Sequence, residues 1–298
     1  MRVTNLMMAN SMSQSLSKAT ENLLKAQNTV STEKTINQPS DNPVGLANVL
    51  GYQTTLASIN QYSQNISQAQ SVLNPAESTL GDITNVLNQA KSLALSMAND
   101  TTSSADRQTA ATEIQSLQTQ LVQLANTKQG NRYLFGGQNT TTPPYDPNSP
   151  SNGFQGDDTP IPVVVGNGVT VDTHVSGTQA FNSTVDPVVV LSNLMTALNN
   201  NDTTGISNQL STLDQAISQI ADSTAQVGDT LDQLNTASSH WSEIKLNLQQ
   251  SLSNTQDVDL TQAATNLANQ QNAYQAALSV ASKMAQRPSL VNYLSTVG

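Results

Sequence analysis

One largely apolar stripe, between residues 206 and 252, constrains this chain more than any other feature. Its members recur alternately every four and three residues, so that thirteen steps cover 46 residues. A step of about 3.5 residues keeps one stripe facing a partner in a left-handed coiled coil. The positions of this long seam are Ile206, Leu210, Leu213, Ile217, Ile220, Thr224, Val227, Leu231, Leu234, Ser238, Trp241, Lys245, Leu248 and Leu252. A helix about 70 Å long has no interior of its own. The stripe therefore predicts packing against other helices and a mechanical or assembly function.

The charge distribution narrows the set of partners. Only 11% of the 298 residues are charged, which is low for a globular protein. The net charge is -10, but residues 1–40 carry +2 and residues 259–298 carry +1, which leaves -13 for the middle. Weakly charged ends can approach other copies with little repulsion. The lack of a basic stripe to neutralise phosphates predicts that nucleic acid is not a partner.

The chain also lacks the signals of several other classes. It contains no cysteine, so disulfides and thiolate metal sites are excluded. Residues 1–8 lack the apolar core and cleavage site of a secretory signal, and no apolar run approaches the ~18 residues of a membrane span. We therefore expect no membrane partner, and any export to proceed without a cleaved signal peptide.

The N-terminal half is predicted to form three helices. Residues 5–33 repeat the three-four spacing with small and flexible side chains, and the members of this terminal seam are Ala9, Met12, Leu16, Ala19, Leu23, Ala26 and Val30. Asn42 is a predicted N-cap, and Pro43 suits the first position of a second helix, in which Pro75 predicts a kink. Ser103, followed by Asp106, resembles a capping box for a third helix. That helix is predicted to end near residues 128–130 and to form an antiparallel hairpin with the second.

Glycine and proline are concentrated between residues 130 and 186, which indicates an inserted β-rich module. Residues 161–165 and 169–173 flank a glycine-bearing turn and predict a β-hairpin. Asp186 and Pro187 open a short helix that is expected to reach Asn199. The long coiled-coil helix is predicted to begin at Thr203. A last helix follows a break at 254–259, with an apolar row of Leu260, Ala264, Leu267, Tyr274, Leu278, Ala281 and Ala285.

Together these elements predict a mainly α fold with a small β insertion. The N- and C-terminal halves are expected to form a long antiparallel coiled-coil helical rod with the β-rich module inserted in the middle. The expected domains are a terminal domain of residues 1–42 and 259–298, a helical rod of residues 43–130 and 187–258, and the module of residues 131–186.

Several short motifs resemble a known family. They lie near both ends of the chain and at the end of the predicted third helix, in residues 1–8, 36–44, 124–137, 257–260, 270–278 and 289–294. In this order and at these separations they resemble the flagellin-like axial proteins of the bacterial flagellum, and the opening residues are more similar to those of hook–filament junction proteins than to those of flagellin. Only about 137–186 is unmatched. Thr35 and Asn42 depart from the residues usual in the family, which affects only local contacts.

The resemblance implies an extracellular structural subunit of the flagellum that adapts the hook to the flagellin filament. The implied partners are copies of the chain in a helical or ring array, the neighbouring junction protein, flagellin, and an export chaperone that binds the C-terminal helix. The implied route is flagellar type III export. We expect subunit contacts at Leu6, Met12, Leu16, Leu23, Val30, Leu267, Tyr274, Leu278, Leu290, Tyr293 and Leu294, although these residues would equally serve pairing within one chain.

Two alternative functions remain open, and a third, an enzyme, is disfavoured. Flagellin itself shares the terminal helices, and a coiled-coil surface adhesin would bind a ligand through residues 137–186. An enzyme is disfavoured, because the two histidines stand apart and no nucleophile, phosphate-loop or metal-ligand motif is present. No cofactor is expected. Asp157 and Asp158 have the residue type for a cation site, but a solvated turn explains them more simply.

Overall fold

The computed structural model describes residues 2–139 and 141–285. The helices and strands are α1 Arg2–Thr32, α2 Pro43–Met97, α3 Ser104–Ala125, β1 Lys128–Gln129, β2 Arg132–Tyr133, a 3-10 turn Pro150–Asn152, β3 Pro162–Gly166, β4 Val169–Asp172, α4 Gly177–Asn182, α5 Pro187–Asn199, α6 Thr203–Gln256 and α7 Leu260–Ala285. The mainly helical fold with a small β-containing middle region is therefore confirmed. Among the helices of these ranges, none has the length and apolar character that a membrane crossing requires.

The described residues form two compact units. The first holds those up to Ala57 and from Ile244 onward, and the second is Ser58–Glu243. Both α2 and α6 contribute residues to each unit. The domain boundaries expected from the sequence stay a prediction.

The long seam of α6 is covered along its length, as predicted, and most deeply between Ile206 and Leu234. Ile206, Leu213, Ile220 and Leu234 are completely inaccessible to solvent, and every other seam position is buried or half-buried. The helix begins at Thr203, as the sequence indicated. The 3.5-residue repeat therefore identified both the helix and its covered face.

Within the second unit, α2 packs against α6 in the antiparallel sense. Three contacts fix the direction, because residue numbers rise along one helix as they fall along the other. They are the Tyr62 and Trp241 rings with centroids 5.2 Å apart, the Gln70 Nε2 donation to Asn235 Oδ1 at 2.8 Å, and the ion pair between Lys91 and Asp214. Antiparallel pairing of the two halves of the chain, expected from the sequence, is thereby confirmed in this unit.

Local capping signals located the helix starts correctly. Asn42 Oδ1 accepts the Gly45 N–H at 2.9 Å at the start of α2. Ser103 Oγ accepts the Asp106 N–H at 3.1 Å at the start of α3, and Asp186 Oδ1 accepts the Val188 N–H at 2.9 Å at the start of α5. The helical span of α2 continues through Pro75, and the kink expected there stays a prediction.

The end of α3 differs from the sequence prediction. The helix ends at Ala125 rather than near residues 128–130, because β1 turns back to pair with β2. Gly130 supplies the positive φ of +58° that this turn requires. The same lysine and glycine that suggested a helix C-terminus belong instead to a short hairpin.

The middle segment is less β-rich than expected. The hairpin of β3 and β4 lies within one residue of its predicted position, but much of the segment is loop. All three phenylalanines of the chain gather here with Tyr145: the Phe181 ring lies 5.2 Å from Phe135, 5.6 Å from Phe154 and 5.8 Å from Tyr145. Phe135, Tyr145 and Phe181 are fully buried and belong to the same core as the helices of the second unit. Aromatic packing therefore holds this segment where regular strands do not.

Buried polar side chains attach the remaining elements to the long helices. Gln219 of α6 accepts the backbone N–H groups of Thr184 and Val185 at 2.8 and 3.2 Å, and it donates to the carbonyl oxygens of Ala180 and Val185, both at 3.0 Å. This one amide satisfies four backbone groups of an irregular segment that has no strand partner there.

Arg107 of α3 joins the loop that follows α2 to the loop that follows α5. Its guanidinium is buried and donates to the carbonyl oxygens of Met97 and Asn99 at 3.0 and 2.8 Å, and also to Asn201 Oδ1.

We predict that Arg107→Met lowers the free energy of unfolding by about 2–4 kcal/mol, because it leaves buried acceptors without donors. Arg107→Lys should also destabilise, since an ammonium group cannot match the guanidinium fork. Urea denaturation measures both, with the exposed neighbour variant Gln108→Ala as the control; an unchanged midpoint for Arg107→Met would contradict the prediction.

Candidate subunit-contact surface

The first unit is built around an antiparallel pair of α1 and α7. The C-terminus of α1 lies beside the N-terminus of α7, because Val258 donates its N–H to the Glu33 carbonyl oxygen at 3.1 Å. On α1, the inward-facing positions from Met12 to Val30 are the predicted ones. On α7 the corresponding positions are Ala263, Leu267, Gln270, Tyr274, Ala277, Ala281 and Met284. Both rows keep the three-four spacing of a coiled coil.

This pair buries little of its own surface. Among the described side chains of the two helices, only Ala26 and Ala263 are buried, and the rest of both rows is half-buried. The inward rows contain several small alanines, and two helices alone cannot enclose a core. The pair thus leaves its inward-facing side chains partly open to a further helix.

The predicted contact residues divide into three groups. Six lie half-buried between α1 and α7: Met12, Leu16, Leu23, Val30, Leu267 and Tyr274. Leu278 lies in the row of α7 next to the inward-facing one and is 41% exposed. The side chain of Leu6, together with Leu290, Tyr293 and Leu294, lies outside the described residues.

The apolar row predicted on α7 differs from the row that meets α1. Leu260, Ala264 and Leu278 are exposed, whereas Ala263, Gln270 and Ala277 take the inward positions. Apolar residues occur in two neighbouring rows of this helix, so spacing alone could not decide between them. The one signal available was the three-four series that starts at Ala263.

Sequence reasoning also missed five exposed apolar side chains of this pair, named here the outer set. Met7, Met8 and Leu24 on α1 and Leu260 and Val280 on α7 are all exposed, with Met7 at 65% and Leu24 at 55%. Large apolar side chains that remain in water on a pair with almost no core are candidates for contact with other chains.

The connector, residues 33–42 between α1 and α2, is hydrogen-bonded to residues 256–257 at the end of α6. Thr35 donates its N–H at 2.7 Å and its hydroxyl at 3.0 Å to the Gln256 carbonyl oxygen, and Lys34 forms a β-bridge with Asp257. Ile36 is buried beneath Gly45, where a Cβ would lie 2.7 Å from the Ile36 Cδ1 atom. The connector is therefore closely packed.

Asp41 organises the connector through its carboxylate. Lys25 Nζ lies 2.7 Å from Asp41 Oδ1, while the N–H groups of Asn37 and Gln38 donate to Oδ2 at 3.1 and 3.2 Å. The hydrogen bond from Lys25, followed by the one from the Asn37 N–H, lowers the pKa of Asp41 from 3.8 to about 2. The ionised carboxylate thus joins α1 to the connector.

The acidic pair in the middle segment is occupied by local contacts. The Thr159 hydroxyl donates to Asp157 at 2.8 Å, and this hydrogen bond lowers the pKa of that carboxyl. Asp158 accepts from the Ser176 hydroxyl. Within residues 2–139 and 141–285, no group of three or more His, Asp or Glu side chains is arranged to hold a metal ion.

Comparison with known proteins shows similarity to proteins of the bacterial flagellum. The family model for the bacterial flagellin N-terminal helical region matches residues 3–140, and the model for the C-terminal helical region matches residues 210–294. The chain is 25% identical to flagellar hook-associated protein 3 of Salmonella typhimurium over 301 residues, which is 93% of this chain and 94% of the relative. It is 28% identical to a flagellin of Clostridium tyrobutyricum over 131 residues, which is 44% of this chain and 35% of the relative.

A solved structure supports the same fold. The crystal structure of FlgL from Bacillus cereus matches with a TM-score of 0.58 at 25% identity, over 67% of this chain and 97% of that one.

The Asp41 contacts predict a pH dependence of the connector. Because the pKa is lower in the folded chain, the carboxylate stabilises the fold above about pH 4, and this contribution is lost as pH falls towards about 2. Hydrogen exchange at the Asn37 and Gln38 amides, corrected for intrinsic rates, should show protection that falls across this window. Asp41→Asn should remove the dependence.

Lysine variants provide the control for this titration. Lys25→Met should move the Asp41 pKa back towards 3.8 in an NMR titration, whereas Lys18→Met, which removes an equal charge from the same helix, should not. Equal effects of the two variants would contradict the assignment of Lys25 as the main cause.

Proposed function

Because the chain belongs to the flagellin-like family, we propose that it is a structural subunit at the hook–filament junction of the bacterial flagellum, where it adapts the hook to the flagellin filament. One observation carries the proposal: the similarity to hook-associated protein 3 extends over nearly the whole length of both chains, whereas the flagellin similarity covers less than half of either. A terminal match alone would fit either protein.

The proposed mechanism rests on the incomplete core of the α1–α7 pair. Each added copy covers apolar surface that an isolated subunit leaves in water, and burial contributes about 25 cal/mol per Å². The half-buried inward rows then gain the neighbours they lack, so that assembly and ordering of the terminal helices are coupled. The near-neutral ends permit this close approach.

Two sets of residues are proposed to form these contacts. The first is the predicted set, in which Leu278 is exposed and the members between α1 and α7 are shared between intrachain and interchain packing. The second is the outer set, which includes Met7, Leu24 and Val280, each half or more exposed in the described first unit. Leu6, Leu290, Tyr293 and Leu294 stay predicted members of the first set.

The proposed partners follow from this position. They are further copies of the chain in a helical or ring array, the neighbouring junction protein on the hook side, and flagellin on the filament side. The family resemblance supports type III export without a cleaved signal peptide, with a chaperone on the C-terminal helix, and an extracellular location on the flagellum. The acidic middle, at -13, supports the absence of nucleic acid from this set.

Deletion of the gene in the source bacterium tests the proposal. We predict cells with hooks but no filaments and flagellin shed into the medium, because filament growth then has no adaptor. Electron microscopy and immunoblotting of the medium measure this. Normal filaments would support the adhesin alternative, and loss of filaments without shed flagellin would support the flagellin alternative.

A matched pair of substitutions tests the outer set at Leu24. Leu24→Lys should fail to restore filaments in the deletion strain, because a charge on an assembly surface must be desolvated. Leu95→Lys provides the control, since Leu95 is similarly exposed at 64% but lies in the second unit. Both purified variants should unfold at the wild-type temperature. Full complementation by Leu24→Lys would exclude this surface from the contact.

A further inference from the structure

The second unit contains a cavity of about 370 Å³ that has no role in the proposed assembly. It lies between α2, the hairpin of β1 and β2, and the segment that carries β3 and β4. Its volume falls within the range of small-molecule sites in proteins. All of its lining residues belong to the second unit, Ser58–Glu243, and none belongs to α1 or α7.

The cavity wall combines aliphatic and polar side chains. The apolar residues that line it are Ala69, Val72, Leu134, Ile161, Val163 and Val175. The remaining wall includes the polar side chains of Gln68, Gln129, Arg132, Tyr133, Thr173 and His174, so an occupant would meet both apolar and polar groups.

Gln129 contributes the first of two buried polar atoms that form no hydrogen bond with a described residue. Its Nε2 donates to the Ser71 carbonyl oxygen at 2.5 Å, which fixes the orientation of the amide. Its Oε1 is then buried and accepts no hydrogen bond from any described residue. The cavity therefore presents an acceptor that requires a donor.

His174 contributes the second atom. Its side chain is only 6% exposed, and Nε2 makes no hydrogen bond within the described part of the chain. The nearest carboxylate oxygen, Asp158 Oδ1, is 3.6 Å away, beyond hydrogen-bonding distance, and Asp158 already accepts from Ser176. The imidazole nitrogen can donate or accept, depending on its tautomer.

These observations define the chemistry of an occupant. We propose that the cavity binds a small apolar molecule that carries a hydroxyl group, such as a phenol. A hydroxyl can donate to Gln129 Oε1 and can accept from, or donate to, His174 Nε2. A carboxylate fits less well, because its oxygens would meet the oxygen of Gln129, and because Arg132, which also lines the cavity, is exposed and solvated.

The test uses the full chain and three probes that differ in one group: phenol, toluene and benzoate. Protein-observed NMR titration should show phenol shifting the amide signals of residues 69–72, 129–134 and 173–175, with the weakest shifts for benzoate. His174→Phe should weaken phenol binding about tenfold while it leaves toluene binding nearly unchanged, which isolates the hydroxyl contact from burial of the ring.

Two further variants keep the test decisive. Val72→Phe should abolish binding of all three probes by filling the cavity. Gln209→Leu is the matched control, because Gln209 Oε1 is also buried without a described partner but does not line the cavity, and it should leave phenol binding unchanged. Circular dichroism checks that each variant folds.

The proposal is overturned if no probe binds at concentrations of about 10 mM, where weak ligands of this size are detectable. It is also overturned if His174→Phe weakens phenol and toluene equally, or if benzoate binds most tightly. Each of these outcomes is independent of whether the chain assembles at the hook–filament junction.

Discussion

Antiparallel packing of α2 against α6 is the interaction on which the second unit depends. The long seam of α6 and the buried row of α2, from Ile66 to Ala94, supply about half of the buried aliphatic side chains of that unit. The helices α3 and α5 share this apolar core, and buried polar groups add further links: Arg107 holds two loops, and Gln219 holds the irregular segment before α5. Such bonds stabilise the fold only because the apolar packing already excludes water around them.

Local signals in the sequence were sufficient for much of this fold. Asn42, Ser103 and Asp186 marked helix starts because an N-cap depends on the side chain at one position and the few residues after it. The β3–β4 hairpin was located by its glycine turn. The end of α3 could not be located in this way, because Lys128 and Gly130 suit both a helix terminus and a hairpin, and pairing with Arg132 and Tyr133 decides between them.

The candidate contact surface was predictable on α1 but only partly on α7. A single row of apolar side chains faces inward on α1, whereas α7 has two adjacent rows, and the choice between them depends on where its partner lies. Buried polar residues escaped prediction for a related reason. Gln219 and Gln129 look like the many exposed glutamines of this chain until the fold brings backbone groups to them.

The connector has a consequence for the order of folding. Its hydrogen bond between Thr35 and Gln256 joins residues 221 positions apart, one of the longest loops that the chain can close. The entropic cost of that closure falls once α2 and α6 have paired, because α2 follows Thr35 and α6 ends at Gln256, so that fewer free residues remain in the loop to be closed. The ends of the chain are therefore expected to dock last, after the second unit has folded, so that a partly folded subunit keeps both termini free until its longer helices are in place.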